Sequence, residues 1–476
     1  MSENIRNSIV PPEVMKKTFE FSEKMRLLNE ERRTSLGREM CAYVLTFGCQ
    51  QNEADSEKIA GMARNMGYKI VDAPEKADLI MVNTCAVREH AEKKALSTIG
   101  QFKHLKANNR DLMIGVCGCM VTQEHRREEI KMRYPYVDFI FGTSSLHRFP
   151  ELLYEKTVKG KRLFCPEENE YLVAEGLGIE RESSYRAWVS IMYGCNNFCS
   201  YCIVPYVRGR ERSRRMEDIV SEVKELARQG YKDITLLGQN VNSYAKDSGL
   251  GYDFADLIAR LAKIEGDFKL HFMTSHPKDA SRKLIDTIAE NDKIAKHFHL
   301  PMQSGSDAVL REMNRRYDRA QYLETVRYMR EKIPDITLTT DIIVGFPGET
   351  EEDFEATLEM LRVVKFDMIY SFIYSPRKGT PAADKKDQVT EKVKSERFSR
   401  LLELQNAISL SKNEPLVGKT VKVLCDGVSK NNSELYSGRT EGNKIVFFSG
   451  EANDEGKYLD IKIDRAEAFA LYGNKI

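Results

Sequence analysis

Short apolar runs alternate with longer stretches of helical period twice along this chain, and a third region follows a different rule. CAYVLTF, ADLIMVN, LMIGV and VDFIFG are apolar runs of strand length between residues 41 and 142. Helical spacing of apolar positions fills the gaps, over about residues 55–66, 87–105 and 122–132, with a last helix after the fourth run. Strand then helix at this interval specifies a parallel sheet covered by helices. Residues 41–158 are therefore expected to form an α/β domain of the doubly wound type.

The second series spans 185–412. AWVSIMY, DITLLG, KLHFMTS, KHFHLPM, ITLTTDIIVGF and MIYSFIYS are its strand candidates, with helices expected over about 216–228, 254–264, 278–289 and 351–363. Six such units make a partial (β/α)6 barrel, two short of a closed eightfold one. A polar segment, 159–184, joins the two series as a linker. From 413 to 476 the pattern changes to short strands (KTVKVLC, ELYSGRT, KIVFFS, YLDIKI, AEAFALYG) separated by Gly, Asn and Asp, which predicts a small antiparallel barrel. Residues 1–40 read as a polar extension in which EFSEKMRLLNEERR has helical character.

Composition narrows the setting. The 476 residues carry 73 Lys+Arg against 72 Asp+Glu, so no whole-chain field points to nucleic acid and no acidic excess points to disorder. The first residues lack a basic-then-apolar leader and no run reaches the ~18 apolar residues of a membrane helix. A cytoplasmic protein with reduced thiols is expected, without a membrane partner.

The ten cysteines are unevenly placed, and two groups stand out. In GCNNFCSYC, Cys195, Cys199 and Cys202 follow the first strand of the second series on one tight loop. Three thiolates so spaced can ligate three irons of a cubane cluster and leave the fourth open to a small molecule. The alternative is structural zinc, which wants four closed ligands commonly supplied by two C-x-x-C knuckles; no second knuckle exists. Cys49, Cys85 and Cys119 each follow a strand of the first series, 36 and 34 residues apart. Strand carboxyl ends of a parallel sheet share one edge, so these three can converge there; three unconnected buried cysteines are the other reading. Cys41, Cys117, Cys165 and Cys425 are expected to be structural.

The central loop resembles that of the radical-SAM superfamily, with Tyr201 matching its aromatic residue before the last cysteine. That resemblance implies that the open iron binds S-adenosylmethionine (SAM), whose reductive cleavage gives a 5′-deoxyadenosyl radical. It also implies SAM contacts at later strand ends, where Gln239, Ser275, Gln303, Asp341 and Gly345 are the candidates; a turn or capping role is the competing reading of each. Together, FGCQQNEADSE, NTCAVREHAEKK, GCM and VPYVRGRERSR narrow the resemblance to the methylthiotransferases, over about 41–476. Membership would make Cys49, Cys85 and Cys119 the ligands of an auxiliary [4Fe–4S] cluster beside the radical-SAM [4Fe–4S] cluster of Cys195, Cys199 and Cys202. One SAM would then methylate sulfur, and the radical from a second would activate the substrate carbon.

The substrate expectation follows from the same resemblance. NTCAVRE, MTSHP, HLPMQSGSDAVLREMNRRY and FIYSPRKGTPA look most like the branch that methylthiolates carbon 2 of an isopentenylated (dimethylallyl) adenosine beside the tRNA anticodon. Threonylcarbamoyl-adenosine, a ribosomal protein side chain and a non-catalytic iron–sulfur RNA-binding role are the alternatives. The last domain resembles TRAM, an RNA-binding module, although residues 413–476 hold nine Lys+Arg against ten Asp+Glu. Arg208, Arg210, Arg212, Arg214 and Arg215 form the clearest basic run, and with Arg439 they are the candidate contacts to the anticodon stem-loop. An electron donor and a sulfur source are further partners the chemistry requires.

Overall fold

A computed structural model describes residues 9–87, 89–165, 172–430 and 432–476. Parts of the expected extension (1–8) and linker (166–171), Arg88 of the NTCAVRE motif and Asn431 of the last domain lie outside the described residues.

The first domain is a six-stranded, all-parallel sheet of order β2-β1-β3-β4-β5-β6. Its strands are β1 (Cys41–Thr46), β2 (Lys69–Ile70), β3 (Leu79–Thr84), β4 (Met113–Gly118), β5 (Phe139–Phe141) and β6 (Leu163–Phe164). Two exceed the sequence expectation because β2 and β6 are only two residues long, too short to show a period. β6 takes the start of the expected linker into the sheet. All six residues of β3 are buried, as a central strand covered on both faces must be. The helix Pro12–Leu36 is longer than the extension's pattern suggested; it buries Met15 and Met25 in the same core as Phe139 and Phe149.

The second domain holds β7 (Arg186–Ser190), β10 (Asp233–Leu237), β11 (Lys269–Phe272), β12 (His297–His299), β13 (Thr337–Val344) and β14 (Met368–Ile373). They form parallel sheets of order β11-β10-β7 and β12-β13-β14, joined through the bridge Leu270–Ile294. The result is an open barrel of six strands in chain order. A short antiparallel pair, β8 (Met192–Tyr193) with β9 (Arg212–Ser213), stands beside it and was not legible in the sequence.

The last domain is a closed barrel, β15 (Thr420–Val428), β16 (Tyr436–Thr440), β17 (Ile445–Phe448), β19 (Leu471–Lys475) and β18 (Tyr458–Ala466). Five strands cannot alternate direction all the way round, so one neighbouring pair, β17 with β19, is parallel. This barrel docks on the amino-terminal ends of the central strands. Arg186 at the start of β7 pairs with both Asp233 (2.9 Å) and Asp426 (2.8 Å), Lys444 meets Asp367 before β14 (2.9 Å), and Glu441 meets Lys269 at the start of β11 (3.1 Å). No helix among the described residues is long and apolar enough to cross a membrane.

The first two domains meet across buried ion pairs. Arg181 joins Glu57 of the first domain (3.0 Å) to Glu222 of the second (2.7 Å), its side chain 9% exposed. Removing the cation would leave the buried Glu57 carboxylate without a counter-charge, while Glu222 keeps Arg214 (2.8 Å). Arg181→Ala should therefore lower unfolding stability by about 3–5 kcal/mol, read as a fall in the urea midpoint; an unchanged midpoint would refute this account of the seam.

Candidate active site between two cysteine triplets

Each amino-terminal cysteine sits where a strand hands over to a helix. Cys49 caps the helix Gln50–Asn65 with extended backbone (φ −105°, ψ 173°), Cys85 follows β3, and Cys119 follows β4 directly. Glycines make the convergence possible. A side chain on Gly48 (φ +138°) would come within 2.7 Å of Cys85 Cβ, and one on Gly118 (φ +95°) within 2.4 Å of the Thr84 carbonyl. Asn52 braces the same place, donating to the Thr84 carbonyl at 3.1 Å while its Oδ1 lies 3.3 Å from Cys49 Sγ. Burial pushes the Cys119 thiol up to about 12 against the pull of Arg208, and Cys85 and Cys49 act on it as neighbouring charges. The structure thus brings the three cysteines together, and Cys117 points into the core, 1% exposed.

The central triplet hangs from the β8–β9 pair. Cys195 N–H donates to the Gly209 carbonyl (3.1 Å), and Asn196 and Glu211 exchange hydrogen bonds across the base of the loop at 3.2 Å each. Its far side is clasped by the end of the DAVLREMNRRY segment. Ser200 donates from Oγ to the Glu312 carbonyl (2.7 Å) and from N to the Met313 carbonyl (3.0 Å); Asn314 donates to the carbonyl of Phe198 (2.9 Å). Buried Arg315 donates to Cys199 Sγ (3.4 Å), the Pro301 carbonyl (2.8 Å) and the Tyr317 hydroxyl (3.2 Å). Sequence reasoning missed Arg315 because nothing in its spacing relates it to a loop 116 residues away. Burial pushes the Cys195 thiol up to about 11 and raises the Cys202 thiol as well, with neighbouring cysteines adding to both. A cationic metal group that takes such thiols as ligands deprotonates them. No group of three or more His, Cys, Asp or Glu side chains among the described residues is arranged to hold a single metal ion.

Unsatisfied polar atoms ring the mouth of the open barrel. Gln239 Oε1 after β10 and Ser275 Oγ after β11 are buried without a hydrogen-bond partner, as are Asn240 Oδ1 and both amide atoms of Asn242. Buried polar groups are normally paired, so this concentration fits a polar ligand such as SAM. Two successive strand ends also place non-glycine residues in the left-handed region, Thr274 (φ +72°) and Gln303 (φ +71°), a strain typical of functional loops. Gln303 is fixed by its N–H to the Asp341 carbonyl at 2.8 Å; the Asp341 carboxylate lies 3.5 Å from His299 Nε2. Tyr201 packs against Phe346 and Tyr374 on the wall of the loop. Gly345 is different: its N–H goes to Glu349 Oε1 (3.0 Å) and the Lys394 stem fills the space beside it, so it shapes the strand end.

The basic run is not the phosphate-facing patch that the sequence suggested. Arg208 is 4% exposed, paired with Asp55 (2.8 Å) and donating to Cys119 Sγ (3.1 Å). Arg214 is 8% exposed and paired with Glu175 (2.6 Å) and Glu222 (2.8 Å), a clamp between linker and barrel. Arg212 donates to the carbonyls of Arg208 and Arg210, and Arg215 is chelated by Asp218 (2.6 Å). Arg210 is exposed and lies over the Phe198 ring (5.1 Å), which meets exposed Tyr206 edge-on. Arg439 lies 3.6 Å from Asp426 at the seam beneath the central barrel, the pole opposite the cysteines. Acidic partners within reach explain why arginines adjacent in sequence separate in role.

The two triplets face each other. Gln51, two residues past Cys49, donates to Ser190 at the end of β7 (2.8 Å), and Glu89, four residues past Cys85, accepts from Ser375 beyond β14 (2.8 Å). Ala86, Cys119, Ile203 and Val207 form one apolar cluster across the domain boundary. The amino-terminal domain therefore spans the barrel mouth and presents its cysteines to the loop that carries the other three.

Comparison with known proteins agrees with this arrangement. Three family models match: uncharacterized protein family UPF0004 over residues 41–142, the radical SAM superfamily over 189–361 and the TRAM domain over 415–476. A protein of Acetivibrio thermocellus named tRNA-2-methylthio-N(6)-dimethylallyladenosine synthase is 50% identical over 469 residues, 98% of each chain. Its namesake in Clostridium tetani is 50% identical over 434 residues, covering 91% of this chain and 96% of the other. Among solved structures, the radical S-adenosylmethionine methyltransferase TsrM of Kitasatospora setae aligns with a TM-score of 0.54 at 15% identity, over 72% of this chain and 77% of that one, a likeness of fold alone. With half of all positions shared along nearly its whole length, the chain belongs to the radical-SAM methylthiotransferases of the tRNA-2-methylthio-N(6)-dimethylallyladenosine synthase (MiaB) family.

Proposed function

We propose that this protein is a tRNA methylthiotransferase that converts isopentenyl (dimethylallyl) adenosine next to the anticodon into its 2-methylthio derivative, with SAM as both methyl donor and radical source. The observation that carries the reading is the pairing of two cysteine triplets across one mouth, in a chain half identical to synthases named for that product. Carbon 2 of the adenine ring bears hydrogen and no leaving group, so acid–base chemistry cannot replace it with sulfur. When bound, two [4Fe–4S] clusters and SAM supply the electron transfer, the radical and the site for incoming sulfur.

The protein's own residues hold and orient these parts. Cys195, Cys199 and Cys202 would hold the cluster that reduces SAM, and Cys49, Cys85 and Cys119 the auxiliary one. Gln239 and Ser275 would meet the polar groups of SAM with their unpartnered oxygens, while Gln303 and Asp341 keep the neighbouring strand ends in place. Seating both thiolate sets within one cleft lets a single base reach both, once that base has left its stack. Arg210, stacked on Phe198 beside Tyr206, would meet the anticodon stem-loop at the rim. The electron donor and the sulfur source would approach the same cleft, and the cytoplasm, where tRNA is modified, is the proposed location.

Mass spectrometry of tRNA nucleosides from cells lacking the protein should show isopentenyl-adenosine without its methylthio group, restored on complementation. Complete methylthiolation in both strains would overturn the substrate assignment and redirect attention to threonylcarbamoyl-adenosine or a ribosomal protein. Alanine at Cys195, Cys199 or Cys202 should abolish 5′-deoxyadenosine release from SAM with dithionite. Alanine at Cys49, Cys85 or Cys119 should spare that release and abolish product; loss of SAM cleavage in both sets would argue against separate roles. Gln239→Ala and Ser275→Ala should each weaken SAM binding about three- to tenfold by equilibrium dialysis on anaerobically reconstituted protein, and unchanged affinity would remove them from the SAM site.

A further inference from the structure

Arg208 stands six residues beyond Cys202, at the end of the helix Val204–Arg208, yet its side chain serves the other domain. Its Nη2 pairs with Asp55 Oδ2 at 2.8 Å and its Nε donates to Cys119 Sγ at 3.1 Å. The guanidinium is anchored on Asp55, which lies on the helix that Cys49 caps, and Arg212 braces the main chain beneath it with two bonds, 3.1 and 3.0 Å, to the Arg208 carbonyl. An ion pair with Asp55 alone would satisfy the buried charge. It would not require the Nε–H to be aimed at sulfur, nor would it select a cysteine of the convergent triplet in preference to Cys117, two residues earlier. Of the same chemistry, Arg315 donates to Cys199 at 3.4 Å in the central triplet. Among the described residues, each cysteine set thus has a buried arginine addressed to one of its sulfurs.

A thiolate that accepts an N–H bond from a buried cation is stabilised as an anion, more so in a low dielectric. Reduction adds negative charge to a thiolate-ligated cluster, and hydrogen bonds to its sulfurs are among the features that set its potential. We propose that Arg208 is a positioning residue that orients the Cys119 thiolate and raises the reduction potential of the cluster at Cys49, Cys85 and Cys119, a role that rests on the reading of this triplet as a cluster site. Placing it on the radical-SAM loop ties the electronic setting of one site to the folding of the other.

The test uses full-length protein in which Cys195, Cys199 and Cys202 are all alanine, so that reconstituted iron and sulfide can occupy the amino-terminal triplet alone. Iron content and the midpoint potential, from an EPR-monitored titration, are compared with Arg208 intact and in Arg208→Lys and Arg208→Gln. The expected result is a cluster in all three proteins, with the potential shifted negative in Arg208→Gln and by less in Arg208→Lys, which keeps the charge and loses the fixed Nε–H. Equal potentials with equal iron content would overturn the proposal and leave Arg208 an interface ion pair. Should Arg208→Gln not fold, an unshifted potential in Arg208→Lys overturns it equally, because the aimed N–H is what that change removes. Failure to retain iron even with Arg208 present would instead defeat the cluster reading itself, and the proposal with it.

Discussion

Parallel strands deliver their carboxyl ends to a common edge, and this chain sets two such edges against each other across a seam of buried ion pairs. Nearly every feature of the site depends on that placement. Glu57 and Glu222, in different domains, are held by one arginine, and Asp55 by another that also touches Cys119. Such pairs offset the cost of desolvating charge only when geometry is kept, so they lock the two domains in one orientation. A looser, apolar contact could slide and would misalign two thiolate sets that must serve one substrate.

The ends of the central barrel have divided the work. The carboxyl ends of its strands carry orphaned polar atoms and left-handed residues, marks of a surface arranged for ligands at some cost to local stability. The amino-terminal ends carry satisfied salt bridges to the five-stranded barrel, which stabilise without facing the cleft. The Phe447–Tyr472 pair with Arg465 over Tyr472 (3.8 Å) lies on the β17–β19 face of that five-stranded barrel, whereas Phe448 is sunk in its core.

Much of the fold was legible because period and length declare themselves. The helix expected over 216–228 is Met216–Arg228, and that expected over 351–363 is Glu351–Val364. The six longer strands of the central domain and the five of the last one fall where apolar runs stand between turn residues. What escaped was short or borrowed: β2, β6, β8 and β9 have two residues each, and their hydrogen bonds come from partners distant in sequence. The glycines before Cys49 and Cys119 are visible in FGC and CGC, but their necessity appears only when neighbouring backbone is seen in the space a side chain would fill.

By itself the sequence determined the chemistry: cysteine spacing set by loop and by βαβ repeat, the alternation that makes parallel sheets, and motifs shared with a family of sulfur-inserting enzymes. Those properties are local or periodic, so they survive reading in one dimension. Only the tertiary structure decided which side chains the chemistry can use. Five arginines that read as one basic patch became a hydrogen-bond donor to sulfur, a backbone brace, a domain clamp, a surface ion pair and an exposed stack, according to which acids and rings folding brought beside each. A charge keeps its sign along the chain, but its role depends on burial and partners, and both are set by residues tens or hundreds of positions away.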